Sequence, residues 1–293
     1  MFSKYLFCYL ITCLSLNLFA CDSTIKKNSV SLTEWRIGIL PDQSKEHLAE
    51  IYQPLTEYIT QETGIKGRLI IPATYSALLN SFYGGDVNIA LFGGVTFVRA
   101  HLEDDARPIA LRNVDLKFSS VVLAQAKSRA SSLHELEGLK FGFGSKLSTS
   151  GYMMPIYFFR EMGIEPEKFF GEIIHSETHE ETALKVQNGE VFAGVINSGI
   201  VQSMFETGEL DQNKVKMLWQ SPTFADYVWA ANSSVPDNQA AAFRKALLNL
   251  NIQNPEHEIL LNKLGAQYYL PASREDFIDL IDIVKSLNFA DGE

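Results

Sequence analysis

The feature that most constrains the fold is an alternation of strand and helix patterns in the first hundred residues. The helical segment from Glu46 repeats apolar residues at helical spacing (Leu48, Ile51, Leu55) and stops at Gly64. The full order is strand Trp35–Pro41, helix Glu46–Gly64, strand Arg68–Pro72, helix Tyr75–Tyr83 and strand Val87–Phe92. This order predicts an α/β fold in which helices cover a parallel sheet.

The same pattern starts again after Arg112. The predicted elements are strands Phe118–Gln125, Lys140–Gly144, Glu190–Ile196, Val215–Trp219 and Tyr227–Ala231, helices Ser131–Leu136 and Glu180–Asn188, and a mostly helical tail from Asn238. A chain of 293 residues exceeds the usual size of one domain, so we expect two lobes of roughly 100–150 residues each. Ligands of open α/β sheets bind outside the carboxyl ends of the strands. A cleft between the lobes is therefore the candidate site.

The N-terminus has the pattern of a secretory signal. Lys4 is the only charged residue before position 21, and a run of apolar and small residues reaches Ala20. This run is too short for a comfortable membrane span, which needs about 20 apolar residues. We predict that residues 1–20 are a signal peptide and that residues 21–34 form a tether.

Cys21 is the candidate attachment point for a lipid. It directly follows Ala20, which resembles a bacterial lipobox, and Asp22 resembles a signal for retention in the inner membrane. The other two cysteines, Cys8 and Cys13, lie inside the signal, so the processed chain has no cysteine pair for a disulfide or a metal. We expect an exported protein, anchored by lipid on the periplasmic side of the inner membrane. The alternative is an ordinary cleaved signal that ends near a cysteine.

The charge balance limits the possible partners. The chain has 35 acidic and 25 basic residues, a formal net charge of −10. Nucleic acids and anionic membrane surfaces are bound by basic patches, so neither is an expected partner. Any anionic ligand must therefore be held by local geometry. No metal or cofactor is expected either, since the six histidines are scattered along the chain.

Three consecutive hydroxyl residues follow the predicted strand Lys140–Gly144. If Ser148, Thr149 and Ser150 begin a helix, several main-chain N–H groups there lack intrahelical partners. Such a helix start can bind an anion without lysine or arginine, because the helix dipole favours negative charge. The alternative is plain capping of a helix by serine.

The segment Phe141–Ser145 running into Ser148–Tyr152, with Pro155, resembles the signature of the phosphonate, phosphite and phosphate binding proteins of ABC importers. Further segments agree in order and spacing. They are Thr74–Leu78, Gly85–Ala90, His179–Glu180, Gly189–Val191, Ser221–Pro222 and Asp226–Trp229. The resemblance spans roughly 35–236, and only the joint occurrence of the segments is specific.

The resemblance implies a two-lobed periplasmic-binding-protein fold of type II with a ligand cleft. Two crossovers are expected, near Phe118–Ser119 and near Ala225–Tyr227. The first lobe would combine residues 35–118 with 228–293, and the second lobe would be residues 119–227. The implied protein is a monomer without enzymatic activity that delivers its ligand to an ABC permease and ATPase in the inner membrane.

The family's ligand contacts carry over to six positions, namely Tyr75, Ser148, Thr149, Ser150, His179 and Asp226. A tyrosine hydroxyl and a histidine N–H can both donate to an anion. A carboxylate such as Asp226 repels an anion unless the ligand carries a proton to donate. Phosphate, phosphite and phosphonates carry one near neutral pH and sulfate does not, so we expect Asp226 to reject sulfate.

Two departures from the family pattern narrow the ligand. Gly199 stands where aminoalkylphosphonate binders carry a glutamate for the ligand's ammonium group, and Phe92 stands where they often carry a tyrosine. Both favour a compact ligand without an amine, namely phosphate, phosphite or a small alkylphosphonate. Selenate and arsenate stay open as related oxyanions.

Two other functions stay open. A sensor subunit could bind the same anion and signal to a membrane receptor, because it too needs a closing cleft. A hydrolase could use a serine with His179 and Asp226 as a triad, although the chain has no Gly-x-Ser-x-Gly motif.

Overall fold

A computed structural model describes residues 31–287. The predicted signal peptide (residues 1–20), the predicted lipid attachment at Cys21 and the tether up to residue 30 lie outside the described residues. Over the described range the strands are β1 (Glu34–Ile39), β2 (Lys66–Ile70), β3 (Ile89–Phe92), β4 (Arg107–Arg112), β5 (Ser120–Gln125), β6 (Lys140–Phe143), β7 (Glu172–His175), β8 (Ala193–Asn197), β9 (Val215–Gln220), β10 (Val228–Ala231) and β11 (Tyr269–Pro271).

Helices cover the strands. They are α1 (Lys45–Thr63), α2 (Tyr75–Tyr83), α3 (Gly94–Asp104), α4 (Met154–Glu161), α5 (Pro166–Phe169), α6 (His179–Asn188), α7 (Ser198–Thr207), α8 (Asp237–Leu248), α9 (Pro255–Lys263) and α10 (Ile278–Ser286). None of the described helices is long and apolar enough to cross a bilayer.

The strands form two separate sheets, and each sheet is the centre of one lobe. The first sheet has the order β11-β4-β10-β3-β1-β2, and the second has the order β7-β6-β8-β5-β9. This architecture is the predicted two-lobed α/β fold. The lobe boundaries given above stay a prediction.

The sheets are mixed, whereas the sequence pattern predicted a parallel sheet. The expected parallel pairing holds for β1 with β2 and β3, and for β6 with β7 and β8. However, β10 is antiparallel to both β3 and β4, and β5 is antiparallel to both β8 and β9. The antiparallel strands β5 and β10 follow the two places where the chain passes between the sheets.

The two crossovers lie side by side. Phe118 and Phe224 form an isolated antiparallel bridge, in which each main-chain N–H donates to the other residue's carbonyl at 2.9 Å. The ring of Phe118 packs edge-on against Tyr227, with 5.3 Å between the centroids. Paired strands of this kind can bend together, which suits a hinge between two lobes.

Several elements were missed by the sequence patterns, and α3 is the most consequential. Its first residues, Gly94 to Val98, are all buried, so the segment lacks the alternation of apolar and polar faces that marks an amphipathic helix. Strand β11 was missed because the tail was read as helical, and its three residues are too few to show a period.

Candidate functional site

The structure brings all six predicted site residues together between the two sheets. Each of them is exposed to solvent by 3 % or less. Tyr75 begins α2, His179 begins α6, and Asp226 lies in the second crossover just before β10. The three hydroxyl residues, Ser148, Thr149 and Ser150, follow β6. The site is therefore built from the starts of helices and from one crossover.

The hydroxyl segment is a π-helical turn, Thr149–Met153, that leads into α4. Ser148 precedes it in an extended conformation, and its Oγ accepts a hydrogen bond from the Gly151 N–H at 3.0 Å. Pro155 has no N–H to donate to the Gly151 carbonyl, which instead accepts from the Gly144 N–H at 2.9 Å. The serine cap, which was predicted from the sequence as the alternative to an anion site, is thus present, and the proline explains the irregular start of the helix.

Gly151 is required by close packing. A methyl group at this position would lie 2.8 Å from Cε1 of His179 and 2.9 Å from Oγ of Ser148. Any larger residue would therefore push these two site residues apart. This contact explains why a glycine stands inside a turn whose φ angle does not demand one.

His179 joins the hydroxyl segment as a neutral donor. Burial lowers the pKa of His179 to about 3, so its ring carries one proton at neutral pH. The main-chain N–H of Asn197 donates to Nδ1 at 3.3 Å, which places that proton on Nε2. Nε2 lies 3.4 Å from Oγ of Ser148. Tyr75 also hydrogen-bonds to the Ser148 side chain, and burial raises the pKa of Tyr75 well above its usual value.

Asp226 is the one acidic member of the cluster. Its Oδ1 accepts from the main-chain N–H of Gly94 at 3.0 Å, and the side chains of Thr149 and Ser150 also hydrogen-bond to its carboxyl. Burial raises the pKa of Asp226 to about 7, while these three hydrogen bonds oppose the rise and the charge of Asp115 adds to it. A carboxyl that titrates near neutral pH can accept a proton that a ligand shares.

The start of α3 is a part of the site that the sequence did not predict. Besides the bond from Gly94 to Asp226, the N–H of Val95 donates to Oγ1 of Thr149 at 3.0 Å, and this bond links the first lobe to the second. A methyl group on Gly93 would lie 3.3 Å from Oδ1 of Asp226, and one on Gly94 would lie 2.4 Å from Cδ2 of Leu280. Two adjacent glycines directly after a buried strand were the available signal.

Asp42, after β1, was also missed, since the sequence only suggested a loop there. Its carbonyl accepts from the N–H of His179 at 2.9 Å, and its Oδ2 accepts from the hydroxyl of Tyr227. Nearby, Oε2 of Glu180 accepts from the N–H of Ser44 at 2.9 Å. These contacts join the start of α1 to the start of α6, so they too connect the lobes.

Basic side chains stay outside the cluster. Over residues 31–287, no hydrogen bond or ion pair joins a lysine or arginine to the six residues. Arg112, a largely buried arginine beside Tyr227, binds the carboxylate of Asp115 at 2.7 Å and the Leu264 carbonyl at 2.8 Å. The cluster therefore has hydroxyl and N–H donors and no local cation.

An open cleft of about 550 Å³ lies beside the cluster and does not include the six residues. Asp42, Asn197 and Tyr227 border it and separate it from His179. Gly199 also lines this cleft, and a methyl group there would lie 3.6 Å from Cζ of Phe118. Gly199 thus borders the cleft, and a methyl group there would make only ordinary van der Waals contacts.

Phe92 ends β3, directly before Gly93, where a methyl group would lie 3.3 Å from Oδ1 of Asp226. Its ring is fully buried in the core of the first lobe, with its centroid 5.0 Å from that of Phe82. A phenylalanine offers no hydroxyl to a ligand at this position. What the missing hydroxyl means for the ligand stays a prediction.

Comparison with known proteins agrees with this architecture. A family model for the periplasmic substrate-binding proteins of phosphonate ABC transporters matches residues 37–277. The probable phosphite-binding protein PhnD1 of an ABC transporter in Prochlorococcus marinus is 27% identical over 265 residues, which cover 86% of this chain and 89% of that protein. The phosphate-import protein PhnD of Mycolicibacterium smegmatis is 25% identical over 241 residues, 76% of this chain and 75% of that one.

A solved structure shows the same fold. PhnD1 of Prochlorococcus marinus in complex with methylphosphonate superposes with a TM-score of 0.82 at 25% identity, covering 87% of this chain and 98% of that chain. The family match extends over most of the chain, and the site lies inside it. The chain belongs to the family of periplasmic phosphonate substrate-binding proteins of ABC transporters.

Proposed function

We propose that the protein captures a small phosphorus oxyanion between its two lobes and delivers it to an ABC permease and ATPase in the inner membrane. The observation that carries this proposal is the buried cluster in which Asp226 lies against Thr149 and Ser150. Hydroxyl and N–H groups there donate to an anion's oxygens, and a single carboxyl accepts. Such a set matches an anion that carries one proton.

The donors suit an anion without any help from a cation. His179 is neutral and presents its Nε2 proton to the cluster, and Tyr75 keeps its phenolic proton. In a buried site these oriented donors interact with charge far more strongly than they would in water. Basic residues are therefore unnecessary, in agreement with the acidic overall charge of the chain.

Asp226 is the residue that selects for a protonated ligand. A phosphate, phosphite or phosphonate monoanion can donate its P–OH hydrogen to this carboxyl. Sulfate has no proton to offer near neutral pH, and it would place two negative groups in contact in a buried site. Rejection of sulfate follows from this pairing.

The ligand is compact and lacks an amine. The cluster is enclosed, and Gly199 supplies no carboxylate for an ammonium group. Phosphate, phosphite and small alkylphosphonates such as methylphosphonate meet both conditions. Aminoethylphosphonate meets neither.

Capture by closure agrees with the contacts that join the lobes. Val95 binds Thr149, Ser44 binds Glu180, and His179 binds the Asp42 carbonyl. The anion first meets one lobe, and the second lobe then satisfies its remaining oxygens and excludes water. The closed form is the one that a permease recognises.

Binding, rather than hydrolysis, fits the orientation of His179. In a serine–histidine–aspartate triad, Nδ1 of the histidine donates to the carboxylate. Here Nδ1 accepts from the Asn197 N–H, and Asp226 binds other partners. We further propose that the protein acts as a monomer held at the membrane by a lipid on Cys21.

A thermal-shift panel tests the proposal. We expect phosphate, phosphite or methylphosphonate to stabilise the protein by about 2.7 kcal/mol at a hundredfold excess over Kd. Sulfate and aminoethylphosphonate should give much smaller shifts at the same concentration. Absence of a shift with every phosphorus anion would contradict the proposed function.

A further inference from the structure

A hydrogen-bonded chain runs behind His179, on the side away from the hydroxyl segment. It connects Asp42, Tyr227 and Asn197, which are exposed by 4 %, 6 % and 1 %. These three side chains border the open cleft but do not belong to the six-residue cluster. In each hydrogen bond between them the donor and the acceptor can be assigned, starting from Asn197 and ending at Asp42.

The first donor is the side-chain amide of Asn197. Its Oδ1 accepts from the N–H groups of Gly199 and Ile200, at 2.8 and 3.1 Å, and so caps α7. Those two bonds fix the orientation of the amide, and its Nδ2 must donate to the hydroxyl of Tyr227, at 3.0 Å. The capping role therefore decides what Tyr227 receives.

Tyr227 in turn donates a hydrogen bond to Asp42. Because its hydroxyl oxygen accepts from Asn197, its own hydrogen is free to donate to Oδ2 of Asp42. The guanidinium of Arg112 lies over the tyrosine ring, 5.1 Å from the centroid, and Phe118 packs against its edge. These contacts hold the ring in place, so Tyr227 has little freedom to choose another partner.

The main-chain N–H of Asn197 connects this series of hydrogen bonds to His179. Its N–H donates to Nδ1 of His179 at 3.3 Å, which leaves the ring proton on Nε2, 3.4 Å from Oγ of Ser148. The side-chain bonds to α7 and to Tyr227 position the residue whose N–H selects this tautomer. The other tautomer would present a bare nitrogen to the hydroxyl segment, where an anion needs a donor.

We propose that Asn197 and Tyr227 are positioning residues that hold His179 as an Nε2–H donor to the bound anion, with Asp42 as the acceptor that ends the chain. Asp42 follows β1 of the first sheet, whereas Asn197 ends β8 of the second sheet. The hydrogen bonds from Asn197 through Tyr227 to Asp42 therefore run from the second lobe to the first. The part of this inference that concerns the anion rests on the proposed function.

The test compares Tyr227→Phe with wild type and with Tyr58→Phe. Tyr58 donates to the Ala246 carbonyl at 2.9 Å, far along the first lobe, so this control also loses one hydrogen bond of a tyrosine. The ¹⁵N spectrum of His179, assigned by difference from His179→Gln, reports which ring nitrogen carries the proton. Calorimetry with phosphite reports the affinity.

In wild type and in Tyr58→Phe we expect a single His179 tautomer, protonated on Nε2. In Tyr227→Phe the amide of Asn197 loses its acceptor, so we expect the second tautomer to become populated and Kd for phosphite to rise about tenfold. Asp42→Asn keeps an acceptor oxygen, so it should weaken binding less than Tyr227→Phe does. It also serves as the second variant if Tyr227→Phe does not fold.

Wild-type affinity together with an unchanged His179 spectrum in Tyr227→Phe would overturn the proposal. So would weaker binding with an unchanged tautomer, or an Asp42→Asn variant that loses more affinity than Tyr227→Phe. If wild type binds no phosphorus anion, the proposed function fails. The tautomer comparison in the free protein then still decides the positioning claim.

Discussion

The two lobes contribute different kinds of chemical groups to the site. The second lobe offers side chains, the hydroxyls of Ser148 to Ser150 and the ring of His179. The first lobe offers the hydroxyl of Tyr75 together with main-chain groups, the N–H groups of Gly94 and Val95 and the carbonyl of Asp42. The second lobe therefore supplies most of the polar side chains of the site, and the first lobe supplies most of its main-chain groups.

The largest expected effect comes from a substitution that disturbs the site residues of the second lobe. In Gly151→Ala the new methyl group would lie under 3 Å from both His179 and Ser148. Overpacking of this kind typically costs 1–3 kcal/mol, so Kd for phosphite should rise up to about a hundredfold. Calorimetry measures it, with Gly84→Ala as the control because Gly84 has ordinary backbone angles and a methyl group there would approach only the Asn80 carbonyl, at 3.3 Å. Equal affinities in both variants would show that the packing around Gly151 is irrelevant to binding.

The second prediction concerns the pH dependence that the crossover carboxyl introduces. Burial raises the pKa of Asp226 from 3.8 to about 7, so the folded protein holds this proton more tightly than the unfolded chain does. Ionisation therefore destabilises the fold as pH rises between these values, by up to about 1.4 kcal/mol per pH unit. Asp226→Asn should be more stable than wild type at pH 8 and should lose that advantage at pH 4.

Denaturant unfolding at several pH values measures this effect. Asp86→Asn, which changes an exposed aspartate in a turn, is the matched control and should show no such trend. A difference between Asp226→Asn and wild type that stays constant from pH 4 to pH 8 would contradict the assigned shift.

These predictions show which parts of the site the sequence could supply. The bounds of α2 and the positions of Ser148 to Ser150 followed from apolar spacing and from hydroxyl residues after a strand. Gly94 and Val95 could not be found in this way, because every residue except proline has an N–H group and only the fold decides which ones point at a site. Asp42 was missed because its role depends on a residue of the other lobe, His179.

The third prediction weakens the first lobe's contribution without touching the cluster. Ser44 precedes α1 and makes no side-chain cap to it. Its main-chain N–H donates to Oε2 of Glu180 in the second lobe. Glu180→Ala should therefore destabilise the closed form and raise Kd about three- to tenfold for every ligand alike, as expected for one charge-assisted hydrogen bond that is partly exposed.

The control for this change is Glu190→Ala, an exposed glutamate after α6. Small-angle scattering with ligand present should show a larger mean radius for Glu180→Ala than for the control. A changed ratio of phosphite to sulfate affinity would mean that Glu180 acts on ligand choice rather than on closure.

The smallest expected effect tests the border between the cluster and the open cleft. A side chain at Gly199 has room, since its first carbon would lie 3.4 Å from Oδ1 of Asn197 and 3.6 Å from Cζ of Phe118. Gly199→Glu should improve the affinity for aminoethylphosphonate a few-fold relative to methylphosphonate, because a carboxylate near the cluster attracts the ammonium group. Gly199→Gln is the matched control, and an equal gain there would rule out the charge as the cause.

The central claim is that the cluster around Asp226 binds a phosphorus oxyanion that carries a proton. Calorimetric titration of wild type at pH 7 with phosphate, phosphite, methylphosphonate and sulfate tests it most directly. We predict that at least one phosphorus anion binds at least about tenfold more tightly than sulfate, which corresponds to about 1.4 kcal/mol. Sulfate bound as tightly as every phosphorus anion would contradict the account.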